Sequence, residues 1–116
     1  MTNEDCLFCR IADGTIPATI VHSDDEVVAF RDINPQAPVH VLVIPREHIA
    51  SAADLTPAQD PLWGRLLHVA QAIAEEEGQA EEGYRLVTNV GRNGGQTVLH
   101  LHLHLLAGRR MGWPPG

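Results

Sequence analysis

A chain of 116 residues with 44% hydrophobic side chains has the size of one compact domain with its own core, and residues 1–116 are read as that single domain. A formal charge of -7 and a sequence pI near 5.3 exclude the clustered Lys and Arg on which phosphate-backbone binding rests, so a small ligand is expected and nucleic acid is not. No apolar stretch approaches the roughly 20 residues of a membrane span, and Met1-Thr2-Asn3-Glu4-Asp5 is acidic where a signal peptide is basic and then apolar, so the expectation is a cytoplasmic protein without membrane contact.

Cys6 to Ala12 is expected to form a short helical turn, closed by Asp13-Gly14 and by Ile16-Pro17. Cys6 and Cys9 are the only two cysteines, and their C-x-x-C spacing suits a metal site or a redox dithiol better than a structural disulfide; both readings stand at this point. Ala18 to His22, Glu26 to Arg31 and Val39 to Ile44 are rich in Val, Ile and Phe and read as strands, separated by the turn compositions Ser23-Asp24-Asp25 and Asn34-Pro35-Gln36-Ala37-Pro38. Antiparallel pairing of these neighbours is expected.

Thr56-Pro57 with Gln59 three residues after the threonine makes one helix start, and Asp60-Pro61 offers a second. Leu62, Leu66, Val69 and Ile73 recur at helical spacing and Gly78 is the natural stop, which predicts one amphipathic helix lying on the sheet. Tyr84 to Asn89 and Val98 to Leu106 complete five strands. The loop Gly91 to Gln96 between them is expected to be flexible and, beside the histidines that follow, to offer backbone N–H groups to a phosphate. His22 and His68 are expected to face solvent, and the tail Trp113-Pro114-Pro115-Gly116 to dock its tryptophan on something already folded.

The most informative stretch is His100-Leu101-His102-Leu103-His104-Leu105-Leu106. Strict alternation in an extended chain places the three imidazoles on one face and the leucines on the other, with successive histidines about 6.5 to 7 Å apart. Histidine is nucleophile, proton donor or metal ligand near neutral pH, so three on one face point to reaction chemistry.

This triad, with its apolar spacers, resembles the signature of the histidine triad (HIT) proteins. The likeness extends over essentially the whole chain, through Phe8, Ala29-Phe30-Arg31-Asp32-Ile33-Asn34-Pro35-Gln36-Ala37-Pro38, His40, Val43-Ile44-Pro45, His48-Ile49, Asn89, Gly94-Gly95-Gln96 and the closing Trp113-Pro114-Pro115-Gly116, which are similar to the Hint branch. The resemblance implies an α+β fold with a five-stranded antiparallel sheet, one main helix and a short N-terminal helix, dimerising into a continuous sheet. It implies hydrolysis of purine nucleoside 5'-phosphoramidates at the P–N bond, releasing AMP or GMP and an amine. Residues 107–116 would reach the partner, where Trp113 helps shape leaving-group preference.

The same resemblance assigns His102 as the nucleophile, forming a nucleotidyl-histidine that water then cleaves. A backbone carbonyl is expected to hold its second ring nitrogen. His104 would contact the phosphoryl oxygens and assist protonation of the amine, His40 is the fourth histidine of the relay, and His100 belongs to the triad. Asn89, Gly95, Gln96, Thr97 and Val98 match phosphate contacts, Thr97 standing where some relatives have serine. Asp32 matches a ribose contact, and Phe8, Phe30 and Ile33 match the walls of the base slot.

Cys6 and Cys9 resemble those of relatives that bind zinc through this pair and two histidines, here His48 and His100. One structural zinc per subunit is then expected, with no cofactor needed for catalysis itself. A metal-bound His100 would be a poor proton shuttle, which moves that task to His104. Two other readings compete. Dinucleoside polyphosphate hydrolases share the middle histidine but lack the Trp-Pro-Pro-Gly tail, and a regulatory purine-nucleotide-binding protein with incidental turnover would use the same residues.

Overall fold

The computed structural model describes residues 3–116. Five strands form one antiparallel sheet: β1 (Ile20–Ser23), β2 (Val27–Arg31), β3 (Val39–Pro45), β4 (Tyr84–Val87) and β5 (Leu103–Ala107), in the spatial order β1-β2-β3-β5-β4. Helix α1 (Leu7–Ala12) and helix α2 (Asp60–Glu76) complete the α+β architecture expected from the sequence. No helix among the described residues is long and apolar enough to cross a membrane.

Both helix starts foreseen around residue 56 are used. The Gln59 side chain accepts from the Thr56 amide at 2.9 Å over the single turn Pro57–Gln59, and the α-helix begins at Asp60. Gly78, at φ +74°, ends it, and the Gln79 amide donates back to the Ala74 carbonyl. Leu66, Val69, Ala70, Ile73 and Ala74 are buried on Val27, Ala29, Val41, Val43 and the leucines of β5. Each large side chain removed from water there contributes about 1.5–3 kcal/mol. Cys6, Phe8, Cys9 and Ile11 cover the opposite face of the sheet against Val28, Phe30, Leu42 and Ile44.

The last strand departs from expectation. Val98 to Leu106 reads as one strand, yet the ladder begins only at Leu103, opposite Val43. Extending that register by two residues would set Leu101 against Pro45, which has no N–H to give. The Leu101 amide donates to the Ile49 carbonyl instead, at 2.6 Å, and the vacated Pro45 carbonyl accepts from a side chain, His100 Nε2, at 2.8 Å. Residues 99–102 therefore lie outside the sheet, with a bend at Leu99 and His100. The alternation still holds, since Leu101, Leu103 and Leu105 enter the core under α2.

Two smaller expectations are corrected. His22 is half-buried rather than solvent-facing, because Nε2 pairs with Asp24 Oδ2 at 2.5 Å, while His68 is exposed as foreseen. The loop Gly91 to Gln96 is braced rather than flexible: the Gln96 amide donates to the Gly91 carbonyl, Gln96 Oε1 accepts from the Gly91 amide, and Asn89 Nδ2 donates to the Gly94 carbonyl at 2.6 Å. Gly94 is required there, since a Cβ would stand 2.3 Å from the Val90 carbonyl oxygen.

Candidate active site

A cleft of about 290 Å³ opens between α1 and the sheet. Its walls include Phe8, Ile11, Phe30 and Leu42, its mouth Asp32 and Ile33, and its far end Thr97, Val98, His102 and His104. Phe8 meets Phe30 edge to face with centroids 5.4 Å apart, and its ring also meets that of His102 at 5.1 Å. An apolar slot ending in imidazoles suits a flat ring system carrying an anion.

The ring tautomers follow from the backbone groups they meet. His102 Nδ1 lies 2.7 Å from the His100 carbonyl, which can only accept, so the proton sits on Nδ1 and Nε2 keeps its lone pair. This is the carbonyl partner expected from the sequence. The His102 carbonyl is itself held by the Thr88 hydroxyl at 2.8 Å, a contact no motif signalled. At His40 the logic reverses. The Gln36 amide donates to Nδ1 at 3.0 Å, which puts the His40 proton on Nε2, where it donates to His104 Nδ1 at 2.9 Å. His104 in turn carries its proton on Nε2.

Burial pushes His104 down to about 4, reinforced by His102 and His40 and opposed by the Asp32 carboxylate. Burial lowers His40 as well, again against Asp32, whose Oδ2 is 3.5 Å from His40 Nε2. Both rings are therefore neutral at neutral pH. A prediction follows for acid stability. From pH 6.5 down to about 4 the unfolded chain gains a proton at position 104 that the folded chain refuses, so stability falls by up to about 1.4 kcal/mol per pH unit and is unaffected by this group above 6.5. Denaturant unfolding of the wild type and His104→Asn between pH 7 and 4.5 should show a shallower slope in the variant; parallel slopes would contradict it.

On the side of the sheet that α1 covers, Cys6, Cys9, His48 and His100 bring their ligating atoms within 4.8 Å of one another. His100 Nδ1 is 3.2 Å from Cys6 Sγ and 3.5 Å from Cys9 Sγ, and His48 Nδ1 is 3.3 Å from Cys9 Sγ. Zinc–sulfur bonds of about 2.3 Å and zinc–nitrogen bonds of about 2.0–2.1 Å at tetrahedral angles separate sulfur and nitrogen by about 3.5 Å, so the donor set fits that ion. The Pro45 carbonyl holds the His100 proton on Nε2 and leaves the Nδ1 lone pair facing the sulfurs. Burial raises the Cys9 thiol, helped by Cys6, so metal binding here would release protons.

Asp32, His40 and His104 form a second group with metal-ligand spacing. The Gln36 amide argues against an ion there, because it occupies the His40 Nδ1 lone pair and aims a proton, not a lone pair, from Nε2.

The remaining residues divide. Thr97, Val98, Phe8, Phe30, Asp32 and Ile33 line the cleft, although Ile33 is 98% exposed and Asp32 Oδ1 also accepts from the Asn34 amide. Gln96 points elsewhere: Nε2 donates to the Ala50 and Val98 carbonyls and braces the loop. Asn89 likewise spends its amide nitrogen on Gly94. Trp113 is 85% exposed and docks on nothing among the described residues of its own chain. Gln36 and Thr88 escape a sequence reading because one acts through its main chain and the other on a main-chain carbonyl; Pro45, directly after the expected strand Val39 to Ile44, is the last residue of β3.

The family model described as HIT domain matches residues 13–111. The purine nucleoside phosphoramidase of Escherichia coli K12 is 50% identical over 109 residues, spanning 94% of this chain and 92% of that protein. A 14 kDa zinc-binding protein of Zea mays is 47% identical over 112 residues, 95% of this chain and 87% of that protein. The crystal structure of a HIT family hydrolase from Legionella pneumophila Philadelphia 1 superimposes with a TM-score of 0.95 at 54% identity, covering 97% of this chain and all of that one. Matched by the family model over residues 13–111 and by relatives over nearly its whole length, the chain belongs to the HIT domain family.

Proposed function

We propose that the protein hydrolyses purine nucleoside 5'-phosphoramidates to the nucleoside monophosphate and an amine. The observation that supports this most is the division of tautomers, a lone pair at His102 Nε2 beside a proton at His104 Nε2. The purine lies between Phe8, Phe30 and Ile33, the ribose hydroxyls donate to Asp32, and the α-phosphate meets His102, His104 and the main chain at Thr97 and Val98. Asn89 and Gly95 are assigned to the phosphate by the resemblance alone, since neither is among the residues that line the cleft.

His102 Nε2 attacks phosphorus as the P–N bond breaks, giving a nucleotidyl-imidazolium whose charge is eased by the His100 carbonyl. The incoming phosphate anion raises the proton affinity of the His104–His40 pair, and Asp32 stands 3.5 Å from His40 as counter-ion. The proton gained leaves with the amine through His104 Nε2. Water then attacks phosphorus, returns one proton to the pair and releases His102 neutral, so the cycle closes.

The Cys6, Cys9, His48 and His100 cluster holds one zinc, which supplies no step of this reaction and ties α1 to the sheet. The chain acts as a homodimer in the cytoplasm, with Trp113 to Gly116 lying on the partner subunit; the expected start of that tail at residue 107 is corrected, because Ala107 closes β5 within its own sheet. The deciding experiment compares AMP release from adenosine 5'-phosphoramidate with cleavage of a dinucleoside polyphosphate; faster polyphosphate cleavage would favour that enzyme, and AMP binding without turnover a regulatory protein. Removing Trp113 to Gly116 is expected to keep the fold and alter the ratio of rates among small and bulky amine leaving groups. Unchanged ratios would sink the role given to the tail.

A further inference from the structure

We infer that the Cys6, Cys9, His48 and His100 cluster is a positioning device for His102, so that what binds among the thiols sets the aim of the nucleophile; this rests on the zinc reading above. Three connections run from the cluster to the cleft. The first is covalent. His100 offers Nδ1 to the sulfurs and is anchored by Nε2 on the Pro45 carbonyl, while its own carbonyl, 2.7 Å away, is the sole partner that fixes the His102 ring among the described residues.

The second connection is α1. Cys6 and Cys9 bracket Phe8, whose ring touches both His100, at 6.0 Å, and His102, at 5.1 Å. A shift of the thiols therefore moves the aromatic wall against which the nucleophile rests. The third is the main chain beside His48, where the Ile49 carbonyl accepts from the Leu101 amide between the two histidines. Residues 99–102 lie outside the sheet, so no ladder holds His102 in place from below. Its position depends on these tethers and on Thr88.

Ligands at one site that bias the other must do so in both directions. The test loads the full chain with cobalt(II), a zinc surrogate with visible absorption, and titrates AMP while calorimetry follows AMP binding. AMP is expected to shift the cobalt bands, and to tighten cobalt binding at least about 5-fold by chelator competition. A second arm replaces one ligand by another, Cys9→His, so that the ion and the fold are kept but the geometry changes. Its turnover of adenosine 5'-phosphoramidate should fall at least about 10-fold in kcat with little change in KM, and the His102 Nδ1 proton, held by the His100 carbonyl, should move in the NMR spectrum.

Cobalt bands indifferent to bound AMP, together with wild-type kcat and an unmoved Nδ1 proton in Cys9→His, overturn the inference. A chain that takes up no cobalt overturns it at the zinc reading. A chain that binds cobalt but not AMP refutes the nucleotide reading instead, and the Nδ1 proton then decides the coupling by itself.

Discussion

His102→Ala should lose at least about 10⁴-fold in the release of AMP from adenosine 5'-phosphoramidate and still bind AMP. The size follows from chemistry. Without an imidazole at this position there is no covalent intermediate, and water must displace the amine in one step. Binding survives because the apolar walls, Thr97 and His104 remain. The variant gives up the Nδ1 hydrogen bond and the ring contacts with Phe8 and His104, but it orphans no hydrogen bond at Nε2, which has no partner among the described residues. Rapid-quench trapping should find a nucleotidyl adduct in the wild type alone. Residual turnover above 1% of wild type, or an adduct on another histidine, would remove His102 from its role.

The second large effect concerns the metal cluster. Protein prepared without chelator should carry close to one zinc per chain, and Cys6→Ser/Cys9→Ser should carry none. The ion would join segments far apart in sequence, residues 6–9, 48 and 100, so its loss frees α1 and with it one wall of the cleft. A loss of about 4 kcal/mol, well inside what structural zinc contributes in small domains, corresponds to a fall of about 20 °C in Tm. Calorimetry of both proteins at equal concentration measures it. Equal Tm values, or zinc retained by the double variant, would contradict the structural role.

Much of this was legible because periodicity reports burial. Leu66, Val69 and Ile73 signalled the helix face, and the His-Leu alternation signalled two faces even where no strand forms. Strand limits were harder, since Val98 to His102 has strand composition and a partner that cannot continue. Only the register, which composition does not contain, places Pro45 opposite Leu101. The C-x-x-C pair could be read either way until folding set His48 and His100 beside it. The carbonyl that fixes His102 was foreseen, but the protonation patterns of His40 and His104 were out of reach. They depend on whether a carbonyl or an amide meets a given ring nitrogen, and the Gln36 amide at His40 has no side-chain signature. Gln96 shows the reverse failure: a glycine-rich context suggests ligand contact, whereas its amide closes the loop on Ala50.

The proline at the end of β3 has a consequence for how this chain tolerates change. By withholding a main-chain donor it leaves one carbonyl for a side chain to read, and His100 reads it. Positions 45 and 100 are thus coupled through a single acceptor. Pro45→Ala would offer Leu101 a competing amide, and a double-mutant cycle between Pro45→Ala and His100→Asn should be non-additive by about 1 kcal/mol or more in unfolding free energy. Additivity would mean that the sheet edge and the histidine are independent.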